Sequence, residues 1–219
     1  MSLPPFRDRH DAGRRLADAL ARHAPPLHAP VILALPRGGV PVGWEVARAL
    51  RAPLDVMVVR KLGVPGHEEL AMGAIASGGI RVVSDEVVQA LAIPARVLAD
   101  TAVMEEDQLL RRERAFRGDR PATRLAGCTV VLVDDGLATG STMLAAVAAA
   151  RAASAARVVV AVPVAPRETC RTLSEHADEV LCLSTPARFR AVGDWYDDFS
   201  QVDDDEVRRL LGMGAEPPA

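Results

Sequence analysis

The sequence predicts an α/β protein built on an open, mostly parallel twisted sheet flanked by helices. Three observations carry that prediction. Short apolar runs at 31–35, 54–59, 129–133, 157–162 and 179–183 alternate with helix-forming stretches, as in strands joined by helical crossovers. Several of these runs are β-branched and free of polar interruption, the mark of strands covered on both faces. Aromatic residues make up only 3% of the chain while 49% is apolar by a broad count. A core of Ala, Val and Leu follows, which suits helices packed tightly on a parallel sheet.

The elements follow in order. Residues 7–23 read as a helix with Ala12, Leu16, Ala19 and Leu20 on one face. Pro25, Pro26 and Pro30 break the chain before a strand at 31–35. Pro36-Arg37-Gly38-Gly39 is a loop, and 40–50 a helix. A strand at 54–59 ends in Arg60-Lys61, and 62–70 reads as a mobile Gly/Pro loop. Residues 71–76 and 81–84 are expected to pair across Ser77-Gly78-Gly79. Pro94 splits two helices, 85–92 and 95–117. The strand at 129–133 leads through a turn into an Ala-rich helix from about Met143. A strand at 157–162, a helix at 166–176 and a last strand at 179–183 follow. Residues 184–201 read as irregular, 203–211 as a short helix capped by Asp203 or Asp204, and the tail at 216–219 as frayed.

At 219 residues one domain is expected. Its core spans about 30–185, with a helical insertion at 85–117 and a hood at 186–219 that 1–25 could join. A net charge of −3 gives no bulk attraction for nucleic acid. Cys128, Cys170 and Cys182 form no metal-type spacing and read as free thiols. No basic-then-apolar leader pattern and no apolar stretch of ~20 residues is visible, so a soluble, cytoplasmic protein without a membrane partner is expected.

The most informative stretch runs from Val130 to Thr142: an apolar strand, Asp134-Asp135, then Gly136-Leu137-Ala138-Thr139-Gly140-Ser141-Thr142. Loop N–H groups entering a helix N-terminus make an anion site, because unpaired donors and the positive dipole end point the same way. Gly136 and Gly140 allow close backbone approach, and Thr139, Ser141 and Thr142 add hydroxyls. Two acids beside a phosphate cradle would repel a bare phosphate. They suit a sugar phosphate, whose phosphate sits on the loop and whose hydroxyls face the acids. No Gly-Lys-Ser/Thr is present, so this is not a Walker A loop.

That pattern resembles the 5-phosphoribosyl-1-pyrophosphate (PRPP) signature of type I phosphoribosyltransferases. Leu35-Pro36-Arg37-Gly38-Gly39-Val40 resembles the family's pyrophosphate loop, especially its Ser-Arg-Gly-Gly form in xanthine-guanine transferases. Paired glycines expose N–H groups and Arg37 can fork onto pyrophosphate. The resemblance also places a cis peptide at Pro36-Arg37. Arg60-Lys61-Leu62-Gly63-Val64-Pro65-Gly66-His67-Glu68-Glu69 is similar to the flexible catalytic loop of adenine phosphoribosyltransferases, with Leu62 for the first Pro and one residue fewer. Lys61 is either a pyrophosphate contact or a solvated strand-end cation. Glu68 or Glu69 either handles a base proton or is an exposed loop charge. Ala138 stands where hypoxanthine-guanine enzymes carry an Asp, which weighs against a plain 6-oxopurine enzyme. The pattern as a whole is most similar to a bacterial group of phosphoribosyltransferases, and the likeness covers roughly residues 30–200.

Trp195, Tyr196 and Phe199 cluster in a chain with few aromatics. Trp195 or Tyr196 either stacks on an acceptor base or simply packs a C-terminal flap. The acids and bases at 105–114 read as a self-paired helix face or a dimer contact.

The resemblance implies a Mg2+-dependent transfer of phosphoribose from PRPP to a nitrogenous, purine-like acceptor by a homodimeric enzyme. The loop from Gly136 to Thr142 would hold the 5-phosphate. Asp134 and Asp135 would hold the ribose hydroxyls, directly or through a metal ligated largely by water and PRPP. Arg37, Lys61 and the Gly38-Gly39 backbone would neutralise pyrophosphate. The alternative is a PRPP-binding regulatory protein without useful catalysis.

Overall fold

The computed structural model describes residues 5–22, 27–118 and 120–212, without the side chains of Glu68 and Glu69. The expected Pro25-Pro26 break and the tail at 216–219 lie outside the described residues.

The chain runs α1 (Arg9–Ala21), β1 (Pro30–Ala34), α2 (Gly39–Leu50), β2 (Leu54–Val56), β3 (Val59–Val64), β4 (His67–Ala76), β5 (Ile80–Val83), α3 (Asp85–Ala90), α4 (Ala95–Arg117), β6 (Thr129–Val133), α5 (Ser141–Ala152), β7 (Arg157–Val164), α6 (Arg167–Ser174), β8 (Glu179–Ser184) and α7 (Asp204–Gly212). A 3-10 turn covers Val192–Trp195.

Five strands form one parallel sheet in the order β2-β1-β6-β7-β8. Its central strands are buried on both faces, as their unbroken apolar sequences require. Alternation along each strand divides the side chains between two layers. Val31, Leu33, Val130, Leu132, Val158 and Val160 join Met143, Ala146 and Ala150 of α5 on one face. Ile32, Val131, Val133, Val159 and Ala161 join Leu16, Leu20, Val42 and Val46 of α1 and α2 on the other. Small side chains let the helices lie close. A Cβ on Gly13 of α1 would stand 2.8 Å from the Val42 carbonyl oxygen of α2.

Two expectations are corrected. The run at 54–59 is two strands in two sheets: β2 pairs with β1, whereas β3 starts an antiparallel sheet in the order β3-β4-β5. The switch falls at Met57-Val58, both buried, so the apolar run passes through the core without a polar break to mark the change. The segment 62–70, read as a loop, is mostly the hairpin of β3 and β4. Its turn is only Pro65-Gly66, with Gly66 at φ 79°. Register shifts at Leu62/Gly63 and Gly63/Val64 spoil the alternation that would have marked a strand. The pairing of 71–76 with 81–84 is observed, as β4 against β5.

α4 is fastened to the sheet by a buried ion network. Arg117 Nε donates to Asp55 Oδ1 at 2.9 Å, its Nη1 to Glu113 at 3.1 Å and its Nη2 to the Val56 carbonyl at 3.1 Å. Asp55 also accepts from the N–H groups of Val56 and Thr123.

Candidate functional site

Strand order places the site. From β1 the chain crosses to β2 on one side, while β6 lies on the other. Loops leaving the C-terminal ends of strands at such a reversal diverge and open a crevice, the usual ligand position in parallel sheets. Here the two loops are those after β1 and after β6, two of the three that the sequence singles out.

They are in contact. Leu35 N–H donates to the Val133 carbonyl at 2.8 Å, and Gly39 N–H to the Leu35 carbonyl at 3.0 Å. The Pro36-Arg37 peptide is cis. Both glycines are required by closeness. A Cβ on Gly38 would lie 1.9 Å from Asp135 Oδ2, and one on Gly39 would lie 2.7 Å from the Val133 carbonyl oxygen.

The acid pair lies between the loops. Asp134 Oδ1 accepts the Asp135 N–H at 2.8 Å. Burial, and then the Asp135 charge beside it, push the Asp134 carboxyl well above the usual carboxylate range. Burial also raises Asp135, against the pull of the Arg9 guanidinium. Arg9 Nε donates to Asp135 Oδ2 at 2.8 Å. Arg9 Nη1 donates to the Ser200 carbonyl at 2.7 Å, and its guanidinium lies 3.9 Å over the Phe199 ring.

Beyond the acids, Leu137 N–H is tied to the Val164 carbonyl at 2.9 Å, and Thr169 Oγ1 donates to the Ala138 carbonyl at 2.7 Å. These bonds hold the turn. Gly140 takes φ 73° and precedes α5 without a side-chain cap. Among the described residues, the N–H groups of 138–142 find no protein acceptor. Ala138, Thr139 and Thr142 are exposed and Ser141 is half-buried. The Thr139 and Ser141 hydroxyls lie 3.2 Å apart. The result is an open cradle of donors at a helix N-terminus.

The other sequence candidates are placed less uniformly. Arg37 reaches Asp204 of α7 at 3.5 Å and lines a polar groove with Arg60, Arg111 and Arg112. Lys61 faces a different groove, of about 540 Å³, between β3–β5 and α5, which it shares with Ser141. Glu68 falls in β4, but its side chain lies outside the described residues. Tyr196 presents no free face for stacking, which corrects that option. It is buried between Phe6 and Phe199, with centroids at 5.4 and 5.0 Å, and its hydroxyl donates to the Asp135 carbonyl at 2.5 Å. The pairing of residues 6 and 196 makes this a structural ring. Trp195 is half-buried against the same cluster.

Arg9 and Thr169 escaped the sequence reading. Both act through contacts far along the chain, and neither lies in a local motif.

Comparison with known proteins bears on this geometry. The sequence profile described as "Phosphoribosyl transferase domain" matches residues 7–198. Proteins from two Mycobacterium tuberculosis strains, each provisionally named a phosphoribosyl transferase, are 50% identical over 206 residues, or 94% of this chain. The chain spans 46% of the length of those relatives. A crystal structure of the Thermus thermophilus protein TT1426 superposes with a TM-score of 0.89 at 45% identity, covering 97% of this chain and 100% of that one. An Aquifex aeolicus protein, AQ2163, shares the fold at a TM-score of 0.51 and 14% identity, over 84% of this chain and 78% of its own.

Proposed function

The chain belongs to the phosphoribosyl transferase domain family, and from that premise we propose that it moves the 5-phosphoribosyl group of PRPP to a nitrogenous, purine-like acceptor, releasing pyrophosphate. One observation carries the reading: an unpaired N–H cradle and a Gly-Gly loop converge on a carboxylate pair at the β1/β6 crevice. Phosphate donors on two sides with carboxylates between them match a sugar bearing phosphate at both ends.

In this reading the N–H groups and hydroxyls of Gly136, Leu137, Ala138, Thr139, Gly140, Ser141 and Thr142 surround the 5-phosphate, apart from the Leu137 N–H already given to Val164. Asp134 and Asp135 take the ribose hydroxyls. Their charge also lies close to the anomeric carbon as it becomes cationic. Arg37 and the Gly38-Gly39 backbone take the departing pyrophosphate, with Lys61 closing from the hairpin and Glu68 handling an acceptor proton. Exclusion of water by that hairpin protects an oxocarbenium-like centre from hydrolysis. Of the two ring candidates, Trp195 keeps an open surface for a base.

The donor set fits Mg2+. The pair offers hard carboxylate oxygens, and the raised proton affinity of Asp134 marks negative charge that a cation would relieve. Among the described residues no group of three or more His, Cys, Asp or Glu side chains could enclose a metal. Asp134 and Asp135 would therefore hold it together with water and PRPP oxygens. When bound, the ion would neutralise phosphate charge. The cytoplasm is the compartment proposed; no described helix is long and apolar enough to cross a membrane. A homodimer is also part of this reading, with Val103, Met104 and Leu110 of α4 exposed as an apolar strip for a second copy.

The test is Mg2+-dependent pyrophosphate release from PRPP across purines, pyrimidines and orotate, each acceptor present or absent. Acceptor-dependent release is expected, and Asp134→Asn with Asp135→Asn should cut it at least about a hundredfold. PRPP binding without any release would refute the transferase and leave the regulatory reading. Unchanged turnover in the double variant would refute the role given to the carboxylates.

A further inference from the structure

The guanidinium of Arg9 sits over the acid pair, and no part of the transfer scheme accounts for it. Arg9 and Asp135 side chains are only 11% and 14% exposed, so water does little to screen them. Three contacts from two segments hold the group in place: the Phe199 ring beneath it at 3.9 Å, the Ser200 carbonyl at 2.7 Å and Asp135 Oδ2 at 2.8 Å. The ring and the carbonyl fix its plane independently of the carboxylate. The guanidinium is thus aimed at Asp135 and is not merely attracted to it.

The loop after β1 also crowds the same oxygen. Gly38 stands so near that a Cβ there would come within 1.9 Å of Asp135 Oδ2. Oδ2 is therefore engaged by Arg9 and crowded by the Gly38 backbone. Oδ1 is the oxygen of this residue that Arg9 leaves without a cation among the described residues. Asp134, whose Oδ1 is engaged by the Asp135 N–H, makes no direct contact with a cation among the described residues.

We propose that Arg9 is a positioning residue for the acid pair. It pins Asp135 Oδ2, turns Oδ1 toward the crevice, and offsets enough charge that the pair does not retain a divalent cation before PRPP arrives. Without Arg9, two adjacent carboxylates would form a standing cation site. With it, cation binding requires the additional oxygens of the sugar pyrophosphate. Its value for PRPP selection rests on the transferase reading, whereas the competition between Arg9 and a cation does not.

The test is Mn2+ binding to the ligand-free protein, followed by electron paramagnetic resonance, with no PRPP present. Wild type is expected to bind weakly, and Arg9→Gln at least about tenfold more tightly, because an opposite charge within hydrogen-bond distance has been removed. Arg9→Gln combined with Asp135→Asn should lose that gain. Arg9→Lys keeps the charge without the fork, and should bind Mn2+ as weakly as wild type. It also serves if Arg9→Gln fails to fold. Unchanged Mn2+ affinity in Arg9→Gln would overturn the proposal. So would a gain that survives Asp135→Asn, or Arg9→Lys binding tightly. Failure of the pyrophosphate-release assay would instead count against the transferase and leave this result standing.

Discussion

Replacing each glycine of the loop after β1 with alanine separates two kinds of close approach. Gly39 opens α2, where alanine would ordinarily gain up to about 1 kcal/mol over glycine. Its Cβ, however, would lie 2.7 Å from the Val133 carbonyl oxygen and 2.9 Å from Asp134 Cα. Both are backbone atoms at the end of β6, which is paired on both sides by β1 and β7. They cannot rotate away, so overpacking of about 1–3 kcal/mol is expected. For a chain of this size that lowers Tm by roughly 2–12 °C. Gly38 has helical φ and ψ of −60° and −33°, which alanine adopts without strain. Its obstacle at 1.9 Å is Asp135 Oδ2, a side-chain tip that can swing aside by leaving Arg9. Gly38→Ala should therefore lose less Tm than Gly39→Ala but more PRPP affinity relative to its stability. Thermal melts with and without PRPP read both effects. A Gly39→Ala protein that melts at or above wild type would refute the approach of α2 to β6. A Gly38→Ala protein with wild-type PRPP affinity would refute the role of the Asp135 carboxylate.

Three further outcomes are expected. Arg117→Met leaves Asp55 and Glu113, both at most 11% exposed, without a cation. The cost should be about 3–5 kcal/mol, read by urea unfolding, and a loss below about 1 kcal/mol would show that the network does not fasten α4. Thr169→Val removes the donor to the Ala138 carbonyl, so stability should fall by about 0.5–1.5 kcal/mol and KM for PRPP should rise more than kcat falls. A kcat loss at unchanged KM would contradict a role in holding the cradle. Burial raises the Asp178 carboxyl, but the Arg151 contact and the Val158 N–H outweigh it and hold the group below 3.8. Its stabilising contribution is thus full above 3.8 and is lost as pH falls through the lower folded value. Asp178→Asn should flatten the acid limb of stability against pH, and an acid limb identical to wild type would refute the contribution.

The parts of the site that were legible are those whose function needs neighbours along the chain. A donor cradle needs consecutive N–H groups, a glycine at positive φ and a helix start. Gly136, Gly140, Ser141 and Thr142 supply these in one stretch. The strands beside it were legible because burial on both faces removes polar residues from Val130 to Val133. Sheet membership is different. Nothing local distinguishes Val56, which pairs with β1, from Val59, which pairs with β4, because both belong to one apolar run whose partners are decided by distant segments. The hairpin at 62–70 was hidden by its irregular register and by Gly63, Pro65 and Gly66, which read as loop.

Arg9 shows why charge compensation in such a site resists a local reading. A cation placed within 134–142 would lie among the N–H groups of the cradle and would compete with the acid pair for the phosphate. A counter-charge that serves the carboxylates alone must approach from the other side of the crevice. The elements there are the start of α1 and the segment 192–200, held together by the Phe6 and Tyr196 pairing. Arg9 is therefore separated from Asp135 by 126 residues, and its ring and carbonyl anchors lie near the far end of the chain. In the sequence it is one of several arginines on an amphipathic helix, and only the approach of residues 6–9 to the segment 192–200 gives it an address.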